Sequence, residues 1–393
     1  MNTTGKYIIL CGIIACFIIG CTKPYNPKVI ATPSNYLVVE GTINTGGDST
    51  KILLSRTVPL TSTLNSIPEL GATVTIQSNQ NQSYPLTTTG NGIYTSPALT
   101  LPSTAQYRLS IVTSDGKAYL SDYVSPVATP PIDSVGFNEV SNAQEGAGMQ
   151  VYVNTHDPNN NTHYYHWDYA ETWEFTAEYS SLYISNGTSI VPRQSSQQVY
   201  QCWASGLSTD INLGSSAKLT QDVIYQAPIT FVPSNSEKLE IRYSVLVTQY
   251  ALTAAAYNYF SILKENTESL GSIFDAQPSQ LTGNVHCTTD PTLPVIGYVT
   301  AGTVQQKRIY VNNSQLPKTW VAYYPYNCLL DTALYNDHSL NEVAAILLPL
   351  PSSFVETVGV YPPGGPIIGY QYVDRDCGDC TIRGTNVKPS FWQ

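Results

Sequence analysis

Three things are scarce in this 393-residue chain: charge, long apolar runs and catalytic signatures. Lys, Arg, Asp and Glu together make up only 12% of the residues, and the balance is acidic, with a formal net charge of −10. An acidic chain this sparing of Lys and Arg excludes nucleic acid or an anionic lipid surface as its main partner. The longest apolar run, Tyr7 to Gly20, is about 14 residues, whereas a spanning helix needs roughly 20; no transmembrane helix is expected. No Gly-x-Ser-x-Gly elbow, phosphate-binding loop, His-Glu-x-x-His pair or dinucleotide fingerprint occurs. The five His and 28 acidic residues follow no catalytic spacing, so no enzyme activity is expected and no cofactor is called for.

What the amino terminus does have is the pattern of an export signal: Lys6, an apolar stretch, then small residues. "FIIGC" (Phe17 to Cys21) resembles a bacterial lipobox, in which cleavage before the cysteine leaves its sulfur to carry a diacylglycerol. Residues 1–20 are therefore read as a lipoprotein signal peptide, Cys21 as the lipidated residue, and 21–35 ("CTKPYNPKVIATPSN") as a flexible tether. Acyl chains contribute about 0.8 kcal/mol per buried CH₂, so two or three of them hold a domain on a bilayer. Removal of Lys6 with the signal makes the net charge −11.

From Tyr36 to Val127 short β-patterned segments alternate with turn signals. "YLVVEGTI", "KILLSRT", "ATVTIQS", "GIYTSP", "QYRLSIVT" and "AYLSDYV" are separated by stretches such as "NTGGDS", "SNQNQS" and "TSDG". About seven strands in 90 residues without a helix predict an immunoglobulin- or fibronectin-like sandwich over 36–129. "VATPPID" (Val127 to Asp133) marks the boundary. The larger region, 132–393, is also predicted to be mainly β and of sandwich type. In "YYHWDYAETWEF" the aromatic residues Tyr165, Trp167, Tyr169, Trp173 and Phe175 alternate, which favours a core-facing strand over an exposed binding stripe. Residues 253–270 have helical spacing, with Thr253 as a cap and Gly271 past the end. Further strands are expected at "VIGYVTAGTVQQKRIYV" and "NEVAAILLPL", so the class is all-β with one substantial helix.

Cys202, Cys287, Cys328, Cys377 and Cys380 follow the signal. In an oxidising compartment they predict up to two disulfides and one leftover thiol, with Cys328 joined to one member of "CGDC". A zinc or redox role for "CGDC" is disfavoured, because further ligands or a helix start would be needed. "HDPNNNTHYYH" is read as a polar turn rather than a metal site, since His163 and His166 fall on opposite faces of a strand. The tyrosine content, 29 residues, is the more useful functional signal: Tyr and Trp present rigid contact area at low entropic cost. The irregular, Pro-broken "WVAYYPYN" is chosen as the contact surface, with Trp320, Tyr323, Tyr324 and Tyr326 as its residues.

"AYNYFSILKENTESLGSIFDAQPSQLTGNVHCTTDPTLPVIGYV" (Ala256 to Val299) and "CGDCTIRGTNVKPSFW" (Cys377 to Trp392) resemble a Bacteroidota lipoprotein family catalogued as domain of unknown function 4249. "YLVVEGTINTG" and "HDPNNNTHYYHW" fit it as well. The resemblance implies an outer-membrane lipoprotein partnered with a TonB-dependent receptor, and no catalytic residues. The expectation is a non-catalytic accessory that captures a nutrient, glycan or peptide, for that receptor. It is lipid-anchored through Cys21, with the cell surface favoured over the periplasmic face. "CTKPYNPK" departs from the acidic pattern usual after a surface-exported lipidated cysteine. The alternative is a free-standing structural or adhesive envelope lipoprotein.

Overall fold

The computed structural model describes residues 35–59, 62–142, 145–268, 281–324, 326–349 and 354–393. The signal, Cys21 and nearly all of the tether lie outside these residues. Among the described residues no helix is long and apolar enough to cross a membrane.

The first sandwich is built from β1 (Leu37–Asn44), β2 (Gly46–Arg56), β3 (Ile67–Pro68), β4 (Thr73–Ser78), β5 (Ser83–Gly90), β6 (Ile93–Thr100), β7 (Tyr107–Val112) and β8 (Ala118–Ser121). Its order, β1-β2-β6-β5 continuing into β4-β7-β8, is the A-B-E-D and C-F-G arrangement of immunoglobulin-type domains. Alternation places Leu37, Val39, Ile52, Leu54, Ile76 and Leu109 in one core. Tyr107, fully buried at the start of β7, donates its hydroxyl to the Pro102 carbonyl at 2.8 Å, which is the tyrosine corner of such folds. The strand β5, "SYPLTTTG", is not evident from sequence: Pro85 and a Thr run obscure it, and Leu86 is its only buried residue.

The second sandwich uses β9 (Ile132–Asn142), β10 (Gly146–His156), β11 (Tyr164–Thr176), β14 (Gln201–Leu207), β15 (Asn212–Ser215), β16 (Val223–Pro233) and β17 (Arg242–Ala251), while between β11 and β14 the short strands β12 (Tyr183–Ser185) and β13 (Ile190–Pro192) pair only with each other. Helix α1 (Ala254–Glu268) follows, then β18 (Val285–Cys287), β19 (Val295–Gly297), β20 (Thr300–Gly302) and β21 (Val304–Asn312). The sheets are β9-β10-β16 and β14-β11-β17-β21, with β15 also on β11. Their packed faces again form a two-sheet core, containing Met149, Val151, Tyr165, Trp167, Val245 and Val247. The aromatic strand is core-facing, as its alternation predicts. Buried Trp167 donates Nε1–H to Gln249 Oε1 at 2.8 Å, and the Gln249 amide donates to the Pro130 carbonyl at 2.8 Å and Thr155 Oγ1 at 3.0 Å.

One feature amends the expected division at 129–132. After α1 the chain goes back to the first sandwich: β18 pairs with β8, while β19 and β20 pair in parallel with β1. "VIGYVTAGTVQQKRIYV" is therefore three strands shared between two sandwiches, not one. The Asn284 side chain closes this arrangement by pairing with both backbone groups of Val299: Nδ2 donates to its carbonyl at 2.9 Å and Oδ1 accepts from its N–H at 2.8 Å. Beside it a Cβ on Gly283 would lie 1.9 Å from the Gly297 carbonyl oxygen, so only glycine allows the approach. The boundary segment is likewise held on both sides. Val127 N–H donates to the Ala301 carbonyl at 2.9 Å, and Thr129 Oγ1 accepts from Ala251 N–H at 3.0 Å.

A third, small sheet comprises β22 (Asp331–Leu334), β23 (Phe354–Val360) and β24 (Gly369–Asp374), in the order β22-β24-β23. The short turn α2 (Arg375–Gly378) follows. The expected strand at "NEVAAILLPL" is instead a helical turn over Val343–Leu347. Two alanines favour helix, Asn341 Oδ1 accepts from Ala344 N–H at 2.9 Å, and Val343 and Leu347, four apart, are the buried pair.

Replacing the closing amide, Asn284→Leu, leaves a buried N–H and carbonyl without partners. We expect a loss of about 2–4 kcal/mol of unfolding free energy, read as a lowered urea midpoint with the circular dichroism of the folded protein unchanged.

Candidate ligand-contact surface

The cysteines resolve into two bridges, Cys202–Cys380 and Cys328–Cys377, with Cα atoms 5.8 and 5.6 Å apart. The two halves of "CGDC" thus hold different elements: Cys380 fastens the tail to β14, and Cys377 fastens α2 to the segment before β22. Closing the 49-residue separation of Cys328–Cys377 contributes on the order of 4 kcal/mol in the chain-entropy account. Cys287 is a free thiol buried in the first core, its Sγ 3.4 Å from Thr289 Oγ1.

The segment 320–326 is a strap rather than an aromatic platform. Trp320 packs on the second core. The Tyr324 hydroxyl donates to the Thr176 carbonyl at 3.3 Å, and Tyr326 packs beside Cys328 and Cys377. Both rings also face the Arg383 guanidinium, at 5.7 and 5.3 Å, and Phe175 faces it at 5.0 Å. Arg383 is further paired with Glu237. These rings hold the tail down. Of the four expected contact residues, Tyr323 is the exposed one, at 69%.

The exposed aromatic cluster lies instead where β12 meets the third sheet. The Tyr183 ring is 5.0 Å from that of Tyr370 at 64°, and the Tyr335 ring 6.1 Å from Tyr370 at 71°. The Tyr183 and Tyr361 hydroxyls are 3.2 Å apart. Tyr370 is buried beneath, and burial, with Tyr335 beside it, raises its phenol above the usual range. Tyr335 and Tyr361 are exposed, and Leu340 and Ile368 extend the apolar area. Backbone bonds from Tyr335 N–H to the Ile368 carbonyl (2.9 Å) and from Ile368 N–H to the Val360 carbonyl (2.8 Å) hold the platform's backbone. No periodicity marks these residues; Tyr183 lies more than 150 positions from the others, so only the fold brings them together.

The polar sequence motifs are absorbed locally. Asp157 accepts from the N–H groups of Asn159, Asn161 and Thr162, which makes "HDPNNNT" an Asx-type turn. His156 Nδ1 pairs with Asp133 at 2.8 Å and His163 Nδ1 with Ser216 Oγ at 3.2 Å. Buried Asp222 takes hydroxyl bonds from Tyr165 and Ser216 and the Asp157 N–H. Among the described residues no three His, Cys, Asp or Glu side chains converge for a metal. A small cleft between the sandwiches is lined by residues including Val127, Ala251, Tyr298 and Thr300. It is smaller than pockets that enclose ligands of drug size.

The pattern of one family matches the chain over residues 22–308. The chain belongs to the domain of unknown function DUF4249. Its matched region takes in both sandwiches and α1 and ends inside β21. The third sheet and its tyrosine platform therefore lie mostly beyond it, as do Cys328, Cys377 and Cys380. No curated protein matches this DUF4249 chain. Among solved structures, the Yersinia pseudotuberculosis adhesin InvE is 14% identical, over 56% of this chain and 57% of the adhesin, with a TM-score of 0.15. The chitinase ChiA74 of Bacillus thuringiensis is 16% identical over 51% and 28%, also at 0.15. A cycloalternan-degrading enzyme from Trueperella pyogenes is 13% identical over 69% and 31%, at 0.14. This chain thus spans little more than half of the adhesin and about a third of each enzyme. Similarity at this level carries no argument about fold or chemistry.

Two expectations follow. His166 lies between the rings of Tyr250 (5.7 Å) and Phe260 of α1 (5.2 Å), with Nε2 3.4 Å from Asp168. Burial lowers its pKa, against the opposing pull of Asp168. A depressed histidine binds its proton more readily in the unfolded chain. Its contribution is therefore complete above the unfolded pKa of about 6.5 and is lost as pH falls below it. The protection of α1 amides, after correction for the intrinsic pH dependence of exchange, should fall on acidification through pH 6, and His166→Phe should flatten that response. Separately, Cys328→Ser with Cys377→Ser should lower the unfolding midpoint of the third sheet by the equivalent of roughly 2–4 kcal/mol, read by limited proteolysis near residue 330.

Proposed function

We propose that this protein is an outer-membrane lipoprotein, anchored through Cys21, that serves a TonB-dependent transporter as a non-catalytic, ligand-capturing accessory. The observation that carries the reading is the tyrosine platform of Tyr183, Tyr335, Tyr361 and Tyr370 on a sheet fastened by disulfides. Rigid aromatic faces, here the exposed rings of Tyr335 and Tyr361 above buried Tyr370, grip sugar rings or extended peptides without a large ordering cost. The platform is open rather than a cleft around a reacting bond, which suits capture and hand-over better than turnover. Anchoring adds a second advantage: a lipidated subunit diffuses in two dimensions beside the barrel, which raises its effective concentration there.

The test is a gentle-detergent purification of the full lipidated protein from its native outer membrane, read by mass spectrometry, with an uptake assay for the barrel's cargo. A stoichiometric TonB-dependent barrel in the eluate, and impaired uptake on deletion, are expected. The double variant Tyr335→Ala, Tyr361→Ala should keep the barrel while weakening cargo binding about tenfold or more. Recovery of the lipoprotein alone, with uptake intact, would sink the transporter role and leave the structural or adhesive one.

A further inference from the structure

The turn that leaves β2 is unlike the rest of the first sandwich's surface. Leu64, Ile67 and Leu70 are 60%, 46% and 56% exposed, and Val112, at the end of β7, is exposed beside them. Val112 pairs with Thr73, and a Cβ on Gly71 would lie 3.8 Å from that of Ser114, so the loops after β2 and β7 share one tip. From Thr57 to Ala72 the only charged residue is Glu69. Glu69 is buried and bonded by Arg56 Nε at 2.5 Å. In the neighbouring turn Asp115 and Lys117 pair with each other. The tip thus offers apolar side chains with no unpaired charge among these residues to desolvate, which most surface loops cannot do.

Its position gives it meaning. Leu37, the first residue of β1, lies opposite Arg56, the last of β2. Thr57 N–H donates to the Tyr36 carbonyl at 3.0 Å, and Arg56 Nη1 to that of Asn35 at 3.3 Å. The chain therefore enters the fold at the end from which the apolar tip projects. Thirteen residues separate Cys21 from Asn35, and chain geometry limits that span to at most about 50 Å. An anchor on Cys21 keeps this end of the sandwich, rather than the opposite one around Ser103, nearest the bilayer.

We infer that the tip bearing Leu64, Ile67 and Leu70 inserts into the interfacial layer of the membrane that holds the lipid anchor, setting the protein's orientation on the bilayer. The inference rests on the lipidation of Cys21. Apolar side chains at a tethered tip bury in the headgroup–acyl boundary, and the tether removes most of the entropic cost of bringing them there.

The test uses the full lipidated chain in phosphatidylcholine vesicles doped with nitroxide-bearing lipid. Leu64→Cys and, as the opposite-end control, Ser103→Cys are labelled with an environment-sensitive fluorophore; Cys287 is buried and the other described cysteines are bridged. A blue shift and lipid quenching at position 64, with neither at 103, are expected. Adding Ile67→Ser and Leu70→Ser should abolish the quenching while the protein still sediments with vesicles. Slowed hydrogen exchange over 62–70 in the unlabelled, vesicle-bound protein provides a second reading independent of the new cysteine. Anchored protein with position 64 as wet as 103 overturns the inference and leaves lipidation standing. Shielding that appears only when an outer-membrane protein is present overturns it in favour of a protein contact. An unmodified Cys21 in the mass of the amino-terminal peptide removes the foundation itself.

Discussion

Everything in this protein hangs on the excursion between β17 and β21. Instead of turning directly from one strand of the second sandwich to the next, the chain forms α1, gives three strands to the first sandwich, and returns. These strands cover both open edges of the first sheet, β8 on one side and β1 on the other, which removes exposed strand edges that would otherwise pair with other chains. Closure depends on one side chain imitating a strand: Asn284 supplies to Val299 the donor and acceptor that a neighbouring backbone would. Because the two sandwiches share a continuous chain and the Thr129 contacts, neither is a bead on a flexible string. A displacement at one is felt at the other through packed sheets.

The carboxyl-terminal part follows a different logic. Its sheet has three short strands and a small core around Ala333, Val343, Leu347 and Tyr370, too little burial to hold such a sheet alone. Covalent and cationic ties compensate. Two disulfides fix its start and end, and Arg383, faced by three aromatic rings and paired with Glu237, pins the tail to the second sandwich. Stability supplied from outside the sheet leaves its rim free of core duties, and there Tyr335 and Tyr361 stand exposed beside the core residue Tyr370. A surface built this way tolerates variation in the side chains it displays without loss of fold.

The relative placement of the two sandwiches rests on shared strands rather than on a linker.

The sequence by itself determined the β class, the strands with clean alternation, the helix at 254–268 with its Thr253 cap, the core role of Trp167 and its neighbours, and the number of disulfides. Each is written in local spacing or composition: period two, period 3.6, or the count of cysteines. It did not determine β5, where Pro85 and threonines blur the alternation, nor the helical turn at Val343–Leu347, where short apolar runs fit strand and helix equally. The exposure of the aromatic rings was not legible either. "WVAYYPYN" is rich in aromatics, yet Tyr324 and Tyr326 are consumed in bracing Arg383 and the disulfides, while Tyr183, Tyr335, Tyr361 and Tyr370 converge from distant, aperiodic stretches. Whether an aromatic ring faces solvent or a neighbour depends on which distant segment packs over it, and that is settled only when the chain has folded.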